Sequence, residues 1–151
     1  MMTRMFLFGA ALWWGSLTAV GFMVVPMLFA HMPTPAMAGQ MAAKLFAAQT
    51  WLSVACCIVL MLINRRQAGT PNMEDLDATR SDTHTSQASL MFIIFGLLMA
   101  LLVEYGVAPR IVARENLRLW HSAGTVMYAL QWVCAAVVLW RSVEDRHKRP
   151  A

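Results

Sequence analysis

Four long apolar stretches separated by polar segments dominate the pattern of this sequence. The first stretch, from Met5 to Ala30, contains no ionisable side chain and places large apolar residues on every side of a helical wheel. A soluble helix needs a polar stripe, whereas a membrane-spanning helix does not. At about 1.5 Å rise per residue, the stretch exceeds the roughly 30 Å hydrocarbon core of a bilayer. It is therefore predicted to be a transmembrane helix, and it is too long for the apolar region of a signal peptide.

The other apolar stretches predict three more transmembrane helices. The second stretch is preceded by a segment in which Met37, Met41 and Leu45 lie four residues apart, which predicts a short amphipathic helix at the membrane interface. The fold class predicted is an all-α integral membrane protein: a four-transmembrane-helix bundle with a short interfacial helix between helices 1 and 2. It forms a single membrane domain over residues 1–151, with spans at approximately 5–30, 46–63, 88–108 and 120–140.

Two polar segments interrupt or follow these spans. Residues 65–87 hold half of the acidic residues and almost no large apolar groups, so they cannot bury enough surface to offset the entropy of ordering. They are predicted to form a mobile polar loop, and His84 within them is predicted to be solvated. Residues 141–151 are predicted to form a charged, frayed tail.

Composition supports a membrane protein without a separate soluble domain. The chain of 151 residues is 59% hydrophobic and 13% charged, against about 25% charged residues in soluble domains. The net charge of +4 comes from basic residues at the span ends, which argues against nucleic acid as a partner. Cys56, Cys57 and Cys134 fall inside predicted spans and are expected to be reduced. No nucleophile–base motif, phosphate-binding glycine loop or zinc spacing is visible, so the chain is not expected to be an enzyme.

The distribution of basic residues predicts the orientation of the bundle. With four spans, the side that carries both termini holds eight Lys and Arg residues, and the other side holds four. Cytoplasmic segments carry the excess of positive charge. Both termini are therefore predicted to be cytoplasmic.

This orientation gathers polar side chains at the opposite, outer side of the membrane. The predicted outer polar cluster consists of His31, Glu104, Tyr105, Arg110 and His121. Because an ionisable group inside a span is costly, it usually faces a partner or a water-filled cavity. Arg110 or His121 is the expected partner of Glu104. Two interpretations of Glu104 remain open: a role in a proton, metal or substrate path, or a carboxylate that reaches the interface and pairs with an arginine for packing.

Two further features of the spans concern helix shape and helix packing. Pro26 and Pro109 are predicted to break or bend helices 1 and 3, because proline removes a backbone hydrogen-bond donor. Ala11, Gly15 and Ala19 lie at i, i+4 and i+8, a spacing of small residues that lets another membrane helix approach closely.

The sequence also contains 13 methionines, some of them near histidine. Met23, Met27 and His31 share one face of the first helix, and thioether and imidazole groups suit Cu(I). Together with His121 they form a candidate metal set. The alternative is that methionine serves as flexible apolar filler in the spans.

The chain resembles a known family in two regions. The segment from Gly21 to Val54 is similar to the end of helix 1, the connecting helix and the start of helix 2 of the transmembrane protein 205-like family (bacterial domain of unknown function 4149). The segment from Glu104 to Trp132 is similar to the third-to-fourth-helix region of that family. The matching residues are Trp14, Gly15, Pro26, Phe29, Ala38, Gly39, Leu45, Phe46, Pro109, Arg110 and His121. The resemblance implies a bacterial inner-membrane protein with four spans and no established reaction. Gly124 and Thr125 stand where a second histidine would support a histidine-pair cofactor.

Three functional hypotheses follow. The leading one is a non-enzymatic membrane protein that binds or moves a small solute or ion at the outer polar cluster. The second is a heme- or copper-binding redox or metal-handling protein with His31 and His121 as ligands, although no cofactor is the simpler expectation. The third is a structural or assembly subunit whose Ala11–Gly15–Ala19 face contacts another membrane protein. Besides the lipid bilayer, the partners considered are a second copy of the chain and another membrane protein.

Overall fold

The computed structural model describes residues 2–68, 76–113 and 116–148, and these residues form long helices. Two of the helical rods contain a wider π-helical segment, and we label the segments π1 and π2. In chain order the elements are α1 (Met2–Thr18), π1 (Ala19–Val24), α2 (Val25–His31), α3 (Pro35–Ala68), α4 (Leu76–Leu101), π2 (Leu102–Val107), α5 (Ala108–Val112) and α6 (Leu117–Lys148).

Four of these rods are long and apolar enough to cross a membrane, as the sequence predicts. They cover Arg4–His31, Pro35–Arg66, Gln87–Ile111 and Leu117–Glu144. Large apolar side chains such as Phe8 and Ile58 are exposed along their outer faces. A soluble protein rarely exposes so much contiguous apolar surface, whereas a bilayer covers it. The prediction of an all-helical, four-span integral membrane protein is confirmed.

The spans pack as a ring in which each helix contacts two neighbours. α1 packs against α3 and α6, and α4 packs against the same two helices. Consecutive spans run in opposite directions, so the starts of α1 and α4 and the ends of α3 and α6 share one end of the bundle. We call this the terminal end, and we call the other the far end. The far end carries the π segments, α2 and α5.

Trp13 fills the centre of the ring. Its side chain is fully buried and reaches from α1 to Gly96 on α4, where an added Cβ atom would lie 2.7 Å from Trp13 Cη2. Glycine at position 96 therefore allows the indole to pass between the helices. Leu17, Leu60 and Ile93 pack around it as fully buried neighbours. The bundle has a solid apolar core.

The segment predicted to be a separate interfacial helix is helical but continuous with the second span. α3 runs without interruption through 34 residues, which corresponds to a length of about 51 Å. Ala38 and Ala42 from this segment are buried, so it packs against the protein. The sequence contains no glycine or proline at the expected junction near residue 45 that would separate the two parts.

The predicted polar loop at 65–87 is largely wrong as a loop. α3 continues to Ala68 and α4 already begins at Leu76, while residues 69–75 lie outside the described part. Residues 76–87 lack glycine and proline, and a helix that is already started by the span gains one hydrogen bond for each residue added. The same reason explains why α6 continues to Lys148, through most of the tail predicted to be frayed.

The third span also ends later than predicted. Pro109 does not close it, because α5 continues to Val112. The turn into α6 is made at Asn116, whose φ of 37° lies in the left-handed region that asparagine tolerates. The main-chain carbonyl of Asn116 accepts hydrogen bonds from the amides of Leu119 and Trp120, which starts the new helix.

Candidate functional site

A layer of hydrogen-bonded polar side chains crosses the middle of the bundle. Gln49 on α3 donates through Nε2 to Ser16 Oγ on α1 at 3.0 Å and to Ser53 Oγ at 3.4 Å. Gln131 on α6 donates through Nε2 to Ser53 Oγ at 3.0 Å. Ser16 Oγ in turn donates to the Trp13 carbonyl oxygen at 2.9 Å. We call Ser16, Gln49, Ser53 and Gln131 the midplane layer, since each lies near the centre of its span.

Sequence reasoning missed most of this layer. Gln49 is near the start of the second span if that span begins at residue 46, but near its middle once α3 begins at Pro35. The signal that identifies the layer is the recurrence of one amide or hydroxyl residue near the centre of three different spans. Such groups bond to one another because lipid offers no alternative partner.

A tyrosine side chain from α6 contacts the backbone of π1 and of the residues just before it. Tyr128 donates its hydroxyl hydrogen to the Leu17 carbonyl oxygen at 2.7 Å and interacts with the Gly21 backbone one turn later. An added Cβ at Gly21 would lie 2.6 Å from Tyr128 Cε1. Insertion of a side chain into the helical hydrogen-bond ladder is a known cause of local helix distortion. Trp132 Nε1 adds a second bond to α1, at 2.9 Å from Thr18 Oγ1.

Proline leaves a carbonyl group without its helical donor in each π segment. In π1 the Val25 amide donates to Val20 O, and Pro26 has no N–H group, so the Gly21 carbonyl loses both donors that an α- or π-helix supplies. In π2 the Ala108 amide donates to Val103 O and Pro109 follows. The equivalent carbonyl there belongs to Glu104. The predicted breaks at Pro26 and Pro109 are therefore local rearrangements within continuous rods.

Glu104 thus presents two oxygen-bearing groups near the far end of the bundle. Its side chain is partly buried in the third span. Among the residues that the structure describes, none forms an ion pair or a hydrogen bond with the carboxylate. Hydrogen-bond acceptors of this kind suit a cation or a donor-bearing solute.

The other members of the predicted outer polar cluster are engaged elsewhere or exposed. The Arg110 guanidinium lies 4.3 Å from the centre of the Trp120 ring, as a cation–π contact. His31 Nδ1 donates to the Met27 carbonyl oxygen at 3.0 Å on its own helix. His121 is exposed, and Tyr105 is 65% exposed. The structure brings Arg110 to Trp120 at the start of α6, but within the described ranges it forms no pair between Glu104 and either Arg110 or His121.

All four residues of the candidate metal set are exposed. Met23 and Met27 are mostly exposed on the outer surface of the first span. Among the side chains that the structure describes, no three of His, Cys, Asp or Glu are placed to share a metal ion.

The small-residue face of α1 points away from the bundle. Ala11 and Ala19 are exposed, and no atom lies within 4 Å of a Cβ added at Gly15. The opposite face, which includes Ala10 and Leu17, makes the contacts inside the bundle. The packing face predicted from spacing therefore has no partner among the helices described here.

Comparison with known proteins gives one match. No curated protein and no solved structure matches the chain. The family model described as "Domain of unknown function (DUF4149)" matches residues 8–119, which include the first three spans, both π segments and Glu104. Since this match covers well over half of the sequence, the chain belongs to the DUF4149 family.

Proposed function

We propose that this protein is a non-enzymatic membrane protein that binds a small cation or cationic solute at Glu104. The observation that supports the proposal is a carboxylate inside a span for which the described residues provide no charged partner. An unpaired carboxylate at this depth carries a large desolvation cost, so ionisable groups in spans usually serve a ligand or an ion path.

The backbone at Glu104 favours the same kind of ligand. The π2 segment and Pro109 remove the helical donors of its main-chain carbonyl group. Carbonyl oxygens of interrupted membrane helices coordinate cations in several transporter folds. Arg110, the nearest cation in sequence, stacks on Trp120 and leaves the carboxylate to another partner.

The packing of the bundle interior favours binding of a cation over passage of a cation through a single chain. Trp13, Leu17 and Ile93 are fully buried in the centre, and the midplane layer is bonded across the ring. Movement of a solute across the membrane would therefore need a path along a homodimer or another membrane protein. That step is part of the proposal and rests on packing alone.

Ligand-dependent stability tests the site. The full chain in detergent is heated in Na⁺, K⁺, Ca²⁺ or ammonium salts at constant ionic strength. A cation at one hundred times its dissociation constant is expected to stabilise the protein by about 2.7 kcal/mol. Glu104→Gln is expected to lose this response. Glu144→Gln, which removes a carboxylate at the terminal end, is the matched control and keeps it.

Either of two outcomes contradicts the proposal. One is a wild-type protein whose melting temperature is the same in all four salts. The other is a cation response that survives in Glu104→Gln.

The remaining details of the proposal concern location and relationship. We propose that the protein lies in a bacterial inner membrane with both termini on the cytoplasmic side. The side that carries the termini has twice as many basic residues as the other side. We also assign the chain to the transmembrane protein 205-like group within its family, on the motif residues around Pro26 and Pro109. A thiol reagent that cannot cross the membrane tests the orientation on single-cysteine variants placed at His31 and Arg66.

One observation favours an assembly role as a second candidate. Gly15 has open space around it on an exposed face of α1. Gly15→Leu is therefore expected to leave the stability of the isolated chain unchanged. If the assembly role is correct, the same substitution removes a crosslink between α1 and another membrane protein. For the heme or copper alternative the donor geometry offers no comparable support.

A further inference from the structure

Phe46, Glu104 and Tyr128 lie at one level of the bundle, between the midplane layer and the far end. Val107 of π2 packs against Gly124 of α6, and the two helices run in opposite directions. About one turn from this contact toward the midplane, π2 reaches Glu104 and α6 reaches Tyr128. The rings of Phe46 and Tyr128 are in edge contact, with their centroids 5.4 Å apart. We call Phe46, Glu104 and Tyr128 the far-end layer.

The aromatic pair occupies the interior of the ring of helices at this level. Phe46 belongs to α3 and Tyr128 to α6, and these helices lie across the ring from each other, with α1 and α4 between them. Their side chains touch, so both rings point inward. On π2 the exposed positions include Leu102 and Tyr105, whereas Glu104 is partly buried. Since π2 packs against α3 and α6, a ligand on the inner side of the Glu104 carboxylate meets aromatic rings.

The described residues of the far-end layer offer few oxygen ligands. Glu104 has its carboxylate and its main-chain carbonyl group, whereas the Tyr128 hydroxyl group is already bonded to Leu17 O. Ca²⁺ takes about six to eight oxygen ligands. An alkylated ammonium ion instead suits one anion in an aromatic surrounding, because the face of an aromatic ring attracts a cation within about 6 Å.

We infer that the cation bound at Glu104 is an organic ammonium ion with an alkylated nitrogen. The inference rests on the proposed function and names the class of its ligand. The positive nitrogen lies against the carboxylate, and the alkyl groups pack against Phe46 and Tyr128. Lys44, close to Phe46 in sequence, is exposed, and within the described residues it forms no ion pair with Glu104. Glu104 keeps some exposure, so the ligand enters without crossing the midplane layer.

Choline, a small quaternary ammonium ion, tests the inference. The full chain in maltoside detergent, which carries no ammonium group, is titrated at constant ionic strength, and binding is measured as stabilisation against heat. The three ligands are choline, Na⁺ and the uncharged alcohol in which carbon replaces the choline nitrogen. Choline is expected to bind about tenfold more tightly than Na⁺, as for a cation on partly desolvated rings. The alcohol is expected not to stabilise the protein, and Glu104→Gln is expected to abolish the choline response.

Two partly buried phenylalanines form a matched pair for the aromatic wall. Phe46→Leu removes the ring but keeps an apolar side chain, and it is expected to weaken choline binding about fivefold without changing the Na⁺ response. Phe92→Leu, in the terminal half of α4, is expected to keep the choline affinity. Each affinity is taken relative to the variant's own melting temperature, so a general loss of stability does not imitate the effect.

Free solutes and phospholipid headgroups both carry such a nitrogen, and a second measurement distinguishes them. Choline titration is repeated in phosphatidylglycerol nanodiscs with and without phosphatidylcholine. A choline response that phosphatidylcholine removes identifies a lipid headgroup as the ligand, whereas an unchanged response identifies a free solute. Both results support an alkylated ammonium ligand.

Three results overturn the inference. The first is a Glu104-dependent response to Na⁺ or Ca²⁺ without any response to choline, in which case the proposed function stands with a metal ion as the ligand. The second is equal stabilisation by choline and by the uncharged alcohol. The third is equal choline affinity in Phe46→Leu and Phe92→Leu. A protein that responds neither to choline nor to any of the salts contradicts the inference and the proposed function together.

Discussion

The two π segments share one backbone arrangement but differ in what surrounds it. Each has six residues and is followed by one residue and then proline, at Pro26 and at Pro109. In π1 the Tyr128 hydroxyl bonds to Leu17 O and the aromatic ring packs on Gly21. In π2 the position equivalent to Gly21 is Glu104, and the described residues supply no comparable bond. The contacts of Tyr128 give π1 a structural role, and the absence of such contacts among the described residues around π2 supports the binding role that we propose for it.

Among the side chains that the structure describes, the first span makes more hydrogen bonds to its neighbours than the third. Side-chain hydrogen bonds join α1 to α3 and α6 through Ser16, Thr18 and Leu17. The third span is held mainly by apolar packing, including Val107 against Gly124.

The largest expected effect on stability comes from adding a methyl group to a glycine in π1, and the same change in π2 provides the comparison. Gly21→Ala places a methyl group 2.6 Å from Tyr128, so the tyrosine must shift and its bond to Leu17 weakens. We expect a loss of about 1–3 kcal/mol in unfolding free energy. Gly106→Ala in π2 meets no atom within 4 Å and gains helix propensity, so it is expected to be neutral or stabilising. The unfolding free energies of both variants are measured in detergent. Equal losses of stability would show that the contact between Tyr128 and Gly21 does not stabilise π1.

The next effect concerns the midplane layer that ties α6 to the α1 side. Ser53→Ala removes the acceptor of Gln131 Nε2 and one acceptor of Gln49 Nε2. We expect a destabilisation of about 1.5 kcal/mol, because a buried donor is left without a partner. Ser122→Ala, on the exposed surface of α6, is the control and is expected to change stability by less than about 0.5 kcal/mol. Similar values for the two serines would rule out the layer as a stabilising contact.

A smaller effect isolates the single hydroxyl group in π1. Tyr128→Phe removes the bond to Leu17 O but keeps the ring, so a loss of about 0.6–1.7 kcal/mol is expected. Tyr105→Phe, at a 65% exposed position in π2, is expected to leave the unfolding free energy unchanged. Thermal unfolding compares the two directly. A larger loss of stability for Tyr105→Phe would contradict the structural role assigned to the Tyr128 hydroxyl group in π1.

The smallest expected effect tests the backbone of π2. Pro109→Ala restores an N–H group near the Glu104 carbonyl while the carboxylate stays in place. If the carbonyl group contributes to cation binding, the affinity falls about fivefold, the equivalent of one hydrogen bond. Pro26→Ala restores the same group in π1 and is expected to leave the cation affinity unchanged. Titration of cation-dependent stability distinguishes the two variants.

Hydropathy alone predicted the number, order and approximate positions of the spans. It could do so because the bilayer imposes a minimum apolar length that Met5–Ala30 and the other stretches satisfy. The helix ends were less accurate: α3 begins about ten residues before the predicted span, because nothing in the sequence interrupts a helix that the apolar core sustains.

The site was harder to predict because the depth of a residue in the membrane and the direction in which its side chain points are separate properties. Span boundaries give the depth of Glu104, Arg110 and His121, and placed all three near one end. They do not give the angle around each helix, so stacking of Arg110 on Trp120 could not be foreseen. The hydrogen bonds of Gln49 and Gln131 to Ser53 were not predicted, for the converse reason. Each looks unremarkable in its own span, and only the register between α3 and α6 brings both to Ser53.

The position of Tyr128, Gln131 and Trp132 in the last helix has a consequence for biosynthesis. Leu17, Thr18 and Ser53 emerge from the ribosome before these three residues, their hydrogen-bond partners on α6. Until the fourth span is made, the three earlier residues lack their hydrogen bonds to α6, although Thr18 and Ser53 keep bonds to Trp14 and Gln49 on their own helices. The fourth span completes the ring by packing against α1 and α4, so we expect a chain truncated before residue 117 not to form the complete bundle.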